Sequence, residues 1–427
     1  MNGGDGDNGR NVRVSTLDNG LRVVSDPMAT VETVSVGVWV EAGTRHEHPE
    51  INGVSHLLEH MAFKGTGRRS ALEIAAEIED VGGHLNAYTS RESTAYFAKV
   101  LKEDTALAVD IIADILQDSV MEAEELERER SVIIQEINQA LDTPDDVVFD
   151  HFQETAYPDQ PMGRPVLGTA ELVGAMERDV IIDYMGRHYG AGSMILVGAG
   201  RIEHETLAAL AADAFSGLSS GAAPAAEPTR YAGGDFRENR DLEQAHVVLG
   251  FEGVSYEDSD FHAASVLSTI LGGGMSSRLF QEVREKRGLA YSVYSFLSCY
   301  RDGGLFGIYA GTGERETDEL IPVVADEILK VRDGVGEDEL ARARAQIKSS
   351  ILMSLESTSA RCEQLARQMM VFGRPIPVAE TVAKIEAVDA AAVAATARRM
   401  TAGKPVLAAL GPIAGVEGFD SFAARVG

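Results

Sequence analysis

Two histidines and a glutamate stand close together in Val54 to Lys64, VSHLLEHMAFK, as His56, Glu59 and His60. On a helix, residues three and four apart share a face, so both imidazoles could converge on one metal ion with Glu59 beside them. This H-x-x-E-H order is the inverse of the commoner H-E-x-x-H zinc motif. Catalytic zinc usually takes three protein ligands and leaves one position to water, so the array needs a third ligand. By itself the array also fits an ordinary amphipathic helix.

A third ligand is predicted on a long helix farther along the chain, Glu125 to Leu141, ELERERSVIIQEINQAL. Glu129 and Glu136 are seven residues apart, about two helical turns, so both carboxylates project from one face. Glu136 stands among apolar residues, where a buried carboxylate is unfavourable unless it is paired or binds a cation. We therefore predict that His56, His60 and Glu136 bind one zinc ion (Zn2+) per chain.

The second half of the chain resembles the first half but lacks these residues. Glu339 to Leu355, ELARARAQIKSSILMSL, matches the long helix 214 residues later, with Ala343 and Ser350 in place of the two glutamates. The segment equivalent to the histidine helix, Ala264 to Ile270, has no His or Glu either. A solvated run of charges would not predict this joint loss, so the comparison of the halves favours a metal site.

Such a site predicts a hydrolase. A bound zinc ion lowers the pKa of a water molecule and polarises a substrate carbonyl group. Glu59 is not needed as a ligand and is placed to take the proton of this water and deliver it to the leaving amine. Glu129 is the natural partner for orienting a histidine imidazole. The alternative for Glu129 is one more charge in the run ELERER.

The composition is that of a globular protein with an acidic surface. The chain has 427 residues, of which 44% are hydrophobic and 25% are charged, so two or more domains are expected. A formal net charge of −29 argues against nucleic acid as a partner and favours cationic substrates, although the acidity can also serve solubility alone.

Targeting signals are not visible in the sequence. No secretory signal is seen at the start of the chain, and no apolar stretch is long enough to span a membrane. Cys299 and Cys362 are too few for a disulfide framework, so we expect both to be buried in a reducing compartment. We therefore predict a cytoplasmic protein that has no membrane partner.

The duplication predicts the domain organisation. A Gly-, Ala-, Ser- and Pro-rich segment, 217–235, reads as a linker between an N-terminal metal-binding domain, 1–216, and a homologous C-terminal domain, 236–427. Apolar and polar residues alternate in Val34 to Val40 and Ala245 to Phe251, which indicates strands. Grouped strands followed by long helices predict an α+β fold in each half, with a mixed, mostly antiparallel sheet covered by helices on one side.

The motifs together resemble a known family. His56-x-x-Glu59-His60, followed 69 and 76 residues later by Glu129 and Glu136, resembles the pitrilysin and insulysin clan of zinc peptidases (inverzincins). The phrases NGLRVV, GVWVEAGTR and HMAFKGT extend the likeness to the processing-peptidase branch, which includes the mitochondrial processing peptidase β subunit and its bacterial relatives. The resemblance implies a zinc metalloendopeptidase that cleaves peptides or flexible presequence-like segments.

The resemblance also implies substrate-binding residues. Asn86, Ala87 and Tyr88 resemble the edge strand against which an extended peptide pairs, and Phe63 would line the pocket for the residue before the cut. Asp146 and Asp150 stand where acidic residues recognise an arginine near the cleavage point, and carboxylates four apart on a helix could hold a guanidinium group. An ordinary strand and ordinary surface acids are the alternatives.

Two further catalytic residues follow from the resemblance alone. Arg284 and Tyr291, seven apart in EVREKRGLAY, match the pair that reaches the active site from an opposing domain. Arg284 would hold substrate carbonyl groups, and Tyr291 would donate a hydrogen bond to the oxyanion. Because a chain of this length supplies half of a clamshell in this branch, the resemblance implies a homodimer whose active sites are shared between subunits.

Two rival interpretations belong to other functional classes. One is a noncatalytic scaffold subunit of the same fold, and the other is a peptide-binding protein with incidental zinc. Scaffold relatives lose metal-site residues, whereas this chain keeps all five, namely His56, Glu59, His60, Glu129 and Glu136. The sequence therefore favours the enzyme.

Overall fold

A computed structural model describes residues 10–427 of the chain. These residues form two compact units, each built around one β-sheet. The units are discontinuous in sequence, because each takes one segment from the other half of the chain. The first unit runs to Asn138 and adds Pro165–Glu227 and Leu352–Ala379, and the second comprises Gln139–Arg164, Pro228–Ile351 and Glu380–Gly427.

Eleven strands and fifteen α-helices are present among residues 10–427. The strands are Arg13–Thr16 (β1), Arg22–Pro27 (β2), Thr33–Val40 (β3), His84–Thr89 (β4), Thr94–Leu101 (β5), Met194–Gly200 (β6), Gly234–Asn239 (β7), Ala245–Glu252 (β8), Ala290–Cys299 (β9), Gly304–Thr312 (β10) and Val406–Gly411 (β11). The helices are Val54–Ala62 (α1), Ala71–Asp80 (α2), Thr105–Gln117 (α3), Ala123–Leu141 (α4), Pro144–Ala156 (α5), Ala170–Ala175 (α6), Arg178–His188 (α7), His204–Ala214 (α8), Phe261–Gly272 (α9), Thr317–Asp333 (α10), Glu337–Ser354 (α11), Thr358–Phe372 (α12), Val378–Glu386 (α13), Ala390–Met400 (α14) and Phe419–Val426 (α15).

The two sheets share one topology. The first has the order β1-β2-β6-β3-β5-β4, and the second has the order β7-β11-β8-β10-β9. In each sheet one adjacent pair is parallel, β2 with β6 and β7 with β11, and the other pairs are antiparallel. Without β1, the two orders correspond strand by strand. The α+β class and the duplication predicted from the sequence are therefore confirmed.

The first sheet is apolar on both faces. Alternate residues of β3 divide between two cores, with Val36 and Val38 on the face of α1 and α3, and Trp39 on the face of α12. Successive side chains of a strand point to opposite faces, so central strands of this composition need a cover on each side. Helix α12, which begins 123 residues after the end of the linker in sequence, supplies the second cover through Cys362, Leu365 and Met369.

The second sheet is covered in the reciprocal way. Helices α9, α10 and α14 pack on one face, and α5, from the first half of the chain, packs on the other through Val148 and Phe152. The helices thus lie on both sides of each sheet, whereas the sequence predicted a cover on one side. The compact units also depart from the continuous domains 1–216 and 236–427, because the helices that complete the second faces are exchanged.

Several smaller expectations concern single segments. The stretch between Phe215 and Gly233, inside which the two units divide, contains no helix or strand. Cys299 and Cys362 are both free and buried, as expected. Of the helices in residues 10–427, none combines the length and the apolar character that crossing a bilayer requires.

Candidate metal centre

Helix α1 is nine residues long and carries three of the predicted site residues, His56, Glu59 and His60. Its apolar side chains, which include Leu57, Leu58 and Met61, are buried in the core of the first unit. That burial fixes the rotation of the helix, because residues at spacings of three and four share its inner face. His56 is 8% exposed and His60 is partly buried, so both imidazoles lie at the margin of the core.

Helix α4 brings the two glutamates to the histidines. The Nδ1 atom of His60 lies 2.9 Å from Oε2 of Glu129. The Oε2 atom of Glu136 lies 3.5 Å from Nε2 of His60 and 3.7 Å from Nε2 of His56. One ligand atom from each of His56, His60 and Glu136 lies within 4.8 Å of the others, the only such cluster found among the described residues. Two imidazole nitrogens and a carboxylate oxygen form a donor set that suits a divalent transition metal.

One expectation about Glu136 is wrong. Its side chain is 45% exposed, although its sequence neighbours are apolar. The buried residues of α4 are Leu126, Glu129, Ile133 and Ile137, a helical stripe beside which Glu136 lies. Sequence neighbours on a helix point in different directions, so the apolar run around Glu136 does not bury it. Glu129, which is 5% exposed, is the buried carboxylate of the pair.

Burial controls the protonation of the site residues. Burial, together with the charge of His60, lowers the pKa of His56 to about 4. A neutral imidazole is the form that binds metal, so His56 is ready to do so at neutral pH. Burial raises the pKa of the Glu59 carboxyl, and the hydroxyl of Thr89 and the charge of His60 oppose that shift. Glu59 thus lies where a carboxyl group holds a proton more readily than in water.

Two side chains that support the centre were not singled out from the sequence. The Oγ1 hydroxyl of Thr89 donates a hydrogen bond to Oε2 of Glu59 over 2.6 Å. The ammonium group of Lys64 lies 2.8 Å from Oε1 of Glu129, whose other oxygen meets His60. Thr89 ends an alternating strand and Lys64 lies four residues after His60, but neither pattern says which carboxylate each would meet.

Strand β4 carries three predicted substrate residues and lies at the edge of its sheet. Ala87 packs against the core on the α1 side, as does Phe63, which follows α1. Tyr88 points to the other face, where its hydroxyl donates to Glu363 of α12 over 2.6 Å. Asn86 shares that face by alternation and is exposed. Within β4, the side chains of Ala87 and Thr89 therefore point toward the face of the sheet on which Glu59 lies.

The predicted acidic pair lies on α5, in the second unit. Asp146 is exposed in the first turn of the helix, and Asp150 is half-buried one turn later. The pKa of Tyr294 is raised by burial and also by the negative charges of Asp145 and Asp146. The α5 terminus is therefore an electronegative region that includes a tyrosine ring.

Arg284 and Tyr291 are brought together within the second unit. The guanidinium carbon of Arg284 lies 4.7 Å from the centroid of the Tyr291 ring and 4.7 Å from that of Phe280. Arg284 belongs to a π-helical turn, Phe280–Glu285, and Tyr291 is 76% exposed on edge strand β9. An exposed tyrosine stacked on an arginine presents a hydrogen-bond donor beside a fixed positive charge.

Comparison with known protein families gives two matches. Residues 22–170 match "Insulinase (Peptidase family M16)", and residues 175–347 match "Peptidase M16 inactive domain". The second match covers the half in which Ala343 stands at the position equivalent to Glu129.

Individual relatives cover nearly the whole chain. An uncharacterized zinc protease of Rickettsia felis is 39% identical over 94% of this chain and 98% of its own length. A probable mitochondrial-processing peptidase subunit beta of Arabidopsis thaliana is 40% identical over 97% of this chain and 81% of its own length. The rat mitochondrial-processing peptidase subunit beta is 37% identical over 97% of this chain and 87% of its own length.

Solved structures share the fold. A peptidase M16 inactive domain from Pseudomonas fluorescens superposes with a TM-score of 0.88 at 20% identity, covering 95% of this chain and 99% of that one. A protease from Helicobacter pylori gives 0.88 at 22% identity, covering 94% and 100%. Together with the relatives, these matches show that the chain belongs to peptidase family M16. The resemblance to its processing-peptidase branch, predicted from the motifs, is thereby confirmed.

Proposed function

We propose that this protein is a zinc-dependent endopeptidase that cleaves peptides or flexible segments of proteins. The observation that carries the proposal is the cluster of His56, His60 and Glu136, with the Glu59 carboxylate three residues from one ligand and one residue from the other. Membership of a peptidase family and relatives named zinc proteases support the same reaction class.

The donor set fits zinc. Two imidazoles and one carboxylate are among the ligand sets that catalytic zinc uses, and they leave one position for water or substrate. When bound, zinc polarises a carbonyl group and lowers the pKa of a water molecule. His56, His60 and Glu136 would hold one zinc ion per chain.

The residues around this donor set would transfer protons and orient the ligands. Glu59 takes a proton from the attacking water and returns it to the leaving amine, which requires a carboxyl group that exchanges protons near neutral pH. Thr89 orients Glu59 by its hydrogen bond, and burial raises the pKa of Glu59 in the direction that this role needs. Glu129 orients the ring of His60, and Lys64 neutralises the charge of Glu129.

An extended peptide is the substrate that the first sheet suits. Edge strand β4 offers backbone groups that are not used by another strand of its sheet, so a peptide could add to it as a further strand. Backbone pairing accepts many sequences. The net charge of −29 and the acidic residues Asp146 and Asp150 of α5 favour substrates with basic residues.

The test is the activity of purified protein on a mixed library of peptides. Wild-type protein should cleave with about one zinc per chain, a strong chelator should stop cleavage, and zinc should restore it. Glu59→Gln should keep its zinc and lose activity, whereas Glu79→Gln, an exposed glutamate on α2, should change neither. Zinc-loaded wild type that cuts nothing would instead support a scaffold or a peptide-binding protein.

A cleavage-site profile would test the preference for basic residues. Asp150→Ala should lose a preference for arginine near the cut if the acidic pair recognises it. An unchanged profile would favour a general oligopeptidase over a processing enzyme. The cytoplasmic location expected from the sequence stays a prediction.

We also propose a homodimer in which Arg284 and Tyr291 of one subunit serve the metal centre of the other. The exposure of Tyr291 and its contact with Arg284 support the pair as a unit that faces outward. Arg284 would hold backbone carbonyl groups of the substrate, and Tyr291 would donate to the oxyanion. Mixing inactive Glu59→Gln with inactive Tyr291→Phe chains should restore partial activity, and no restoration would contradict shared sites.

A further inference from the structure

Helix α1 begins at a residue that cannot cap it. The N-terminal cap is Gly53, which has a φ of 96° and no side chain to accept a hydrogen bond from the first turn. The first N–H groups of a helix have no partner inside the helix. At a buried helix start these groups need another acceptor, because an unpaired buried donor is unfavourable.

Glu47 supplies that acceptor from outside the helix. Its Oε2 accepts hydrogen bonds from the backbone N–H of Gly53 and from the side-chain amide of Asn52, each over 2.8 Å. Its Oε1 accepts from the N–H of Ser55, also over 2.8 Å. Glu47 is 2% exposed, so these donors converge on one buried carboxylate at the start of α1. A negative charge at this end also interacts favourably with the helix dipole.

The two histidines of the centre are held differently. The ring of His60 is fixed by Glu129, through Nδ1. Within the part of the chain that the structure describes, Nδ1 of His56 is buried without a hydrogen-bond partner. The position of the His56 ring therefore depends more on its backbone, and His56 follows Ser55, the residue whose N–H binds Glu47.

We propose that Glu47 is a positioning residue for the metal centre, which fixes the first turn of α1 and thereby holds His56 in register with His60 and Glu136. This inference rests on the proposed zinc site. Glu47 acts through the backbone of residues 53–55, where its carboxylate accepts two N–H groups. Tyr184 supports the same turn, since its hydroxyl lies 2.8 Å from Oγ of Ser55.

The test is the zinc affinity of Glu47→Gln, measured by competition with a chelating dye. Glutamine keeps one acceptor oxygen but turns an NH2 group toward a backbone N–H, so the first turn loses part of its anchorage. We expect zinc to bind about tenfold more weakly, the lower end of the effect of removing groups that orient metal ligands. The visible absorption of the cobalt-substituted protein should change as well, because it reports ligand geometry.

Glu73→Gln is the matched control. Glu73 accepts a hydrogen bond from the backbone N–H of Ser70 at the start of α2, a helix of the same unit that carries no predicted ligand. The same substitution there should leave zinc affinity and the cobalt spectrum unchanged. Equal zinc affinity in Glu47→Gln and wild type, or an equal loss in both variants, would overturn the proposal.

If Glu47→Gln does not fold, the milder variant Asn52→Ala tests the same proposal. Asn52→Ala removes one donor to Glu47 and leaves the carboxylate in place, so zinc should bind up to about tenfold more weakly, and unchanged affinity would count against Glu47. Because zinc binding is measured separately from cleavage, the experiment distinguishes the role of Glu47 from the proposed peptidase activity. A wild type that binds zinc but cleaves nothing refutes the peptidase alone, whereas normal zinc binding by both variants refutes the role of Glu47 alone.

Discussion

The hydrogen bond from Thr89 to Glu59 allows a quantitative test of the proposed general base. Thr89→Val replaces the hydroxyl with a methyl group of similar size and removes the 2.6 Å contact. Hydrogen bonds to charged groups contribute about 1.5 to 3 kcal/mol. At about 1.4 kcal/mol per factor of ten in rate, the loss corresponds to a decrease in kcat of roughly tenfold to a hundredfold. Thr89 contacts no predicted metal ligand in this bond, so zinc content should stay at the wild-type value.

The assay is steady-state cleavage of one good peptide from the library, with zinc measured in each preparation. We expect kcat to fall and KM to change little, because the lost interaction orients the base and does not touch the substrate. Thr89→Ser keeps the hydroxyl and should retain most of the activity. Thr94 pairs with Thr89 across the sheet, but its hydroxyl donates to the backbone oxygen of Ala42. Thr94→Val should therefore lower stability and leave kcat nearly unchanged.

A single result would refute this reasoning. If Thr89→Val carries full zinc and its kcat stays within about twofold of wild type, Glu59 does not depend on Thr89 for its orientation. A fall in kcat that appears equally in Thr94→Val would point to a general disturbance of the strand pair. Only a loss confined to Thr89→Val supports the specific contact.

Three further predictions concern the support of the centre and the fold. Lys64→Met removes the cation 2.8 Å from Glu129 and should weaken zinc binding about tenfold in dye competition, whereas Lys64→Arg should retain most of the affinity; equal affinities would contradict the role of the pair. Gly53→Ala should lower the free energy of unfolding in urea by about 1 to 3 kcal/mol, since φ is 96° and a Cβ would lie 2.8 Å from a backbone oxygen. Gly67→Ala, whose Cβ would meet nothing within 4 Å, should be nearly neutral, and a similar loss in both would show that the backbone at position 53 is not special. Asp26→Asn removes a fully buried carboxylate that pairs with two arginines and should cost about 3 kcal/mol in the same measurement, while a loss below about 1 kcal/mol would mean that the pairs are replaceable.

The sequence was sufficient for relations that depend on local geometry. Because a helix repeats every 3.6 residues, His56 and His60 had to share a face of α1, and Glu129 and Glu136 had to share a face of α4. Alternation likewise located β3 and β8, whose bounds differ from those predicted by only one residue at one end. The duplication could be read from the sequence, since both halves repeat the same order of local patterns.

Only the tertiary structure decided relations between distant segments. Periodicity places Glu129 and Glu136 on one face of α4 but does not say how deeply each is covered by other elements, so the exposure of Glu136 was missed. Periodicity also does not pair Thr89 with Glu59 or Glu47 with the start of α1. The exchange of α5 and α12 was equally invisible, because it follows from the need to cover both apolar faces of each sheet. Spacing along the chain determined which side chains could act together. Packing between helices and strands that are distant in sequence determined which of these side chains are buried and which hydrogen bonds fix them.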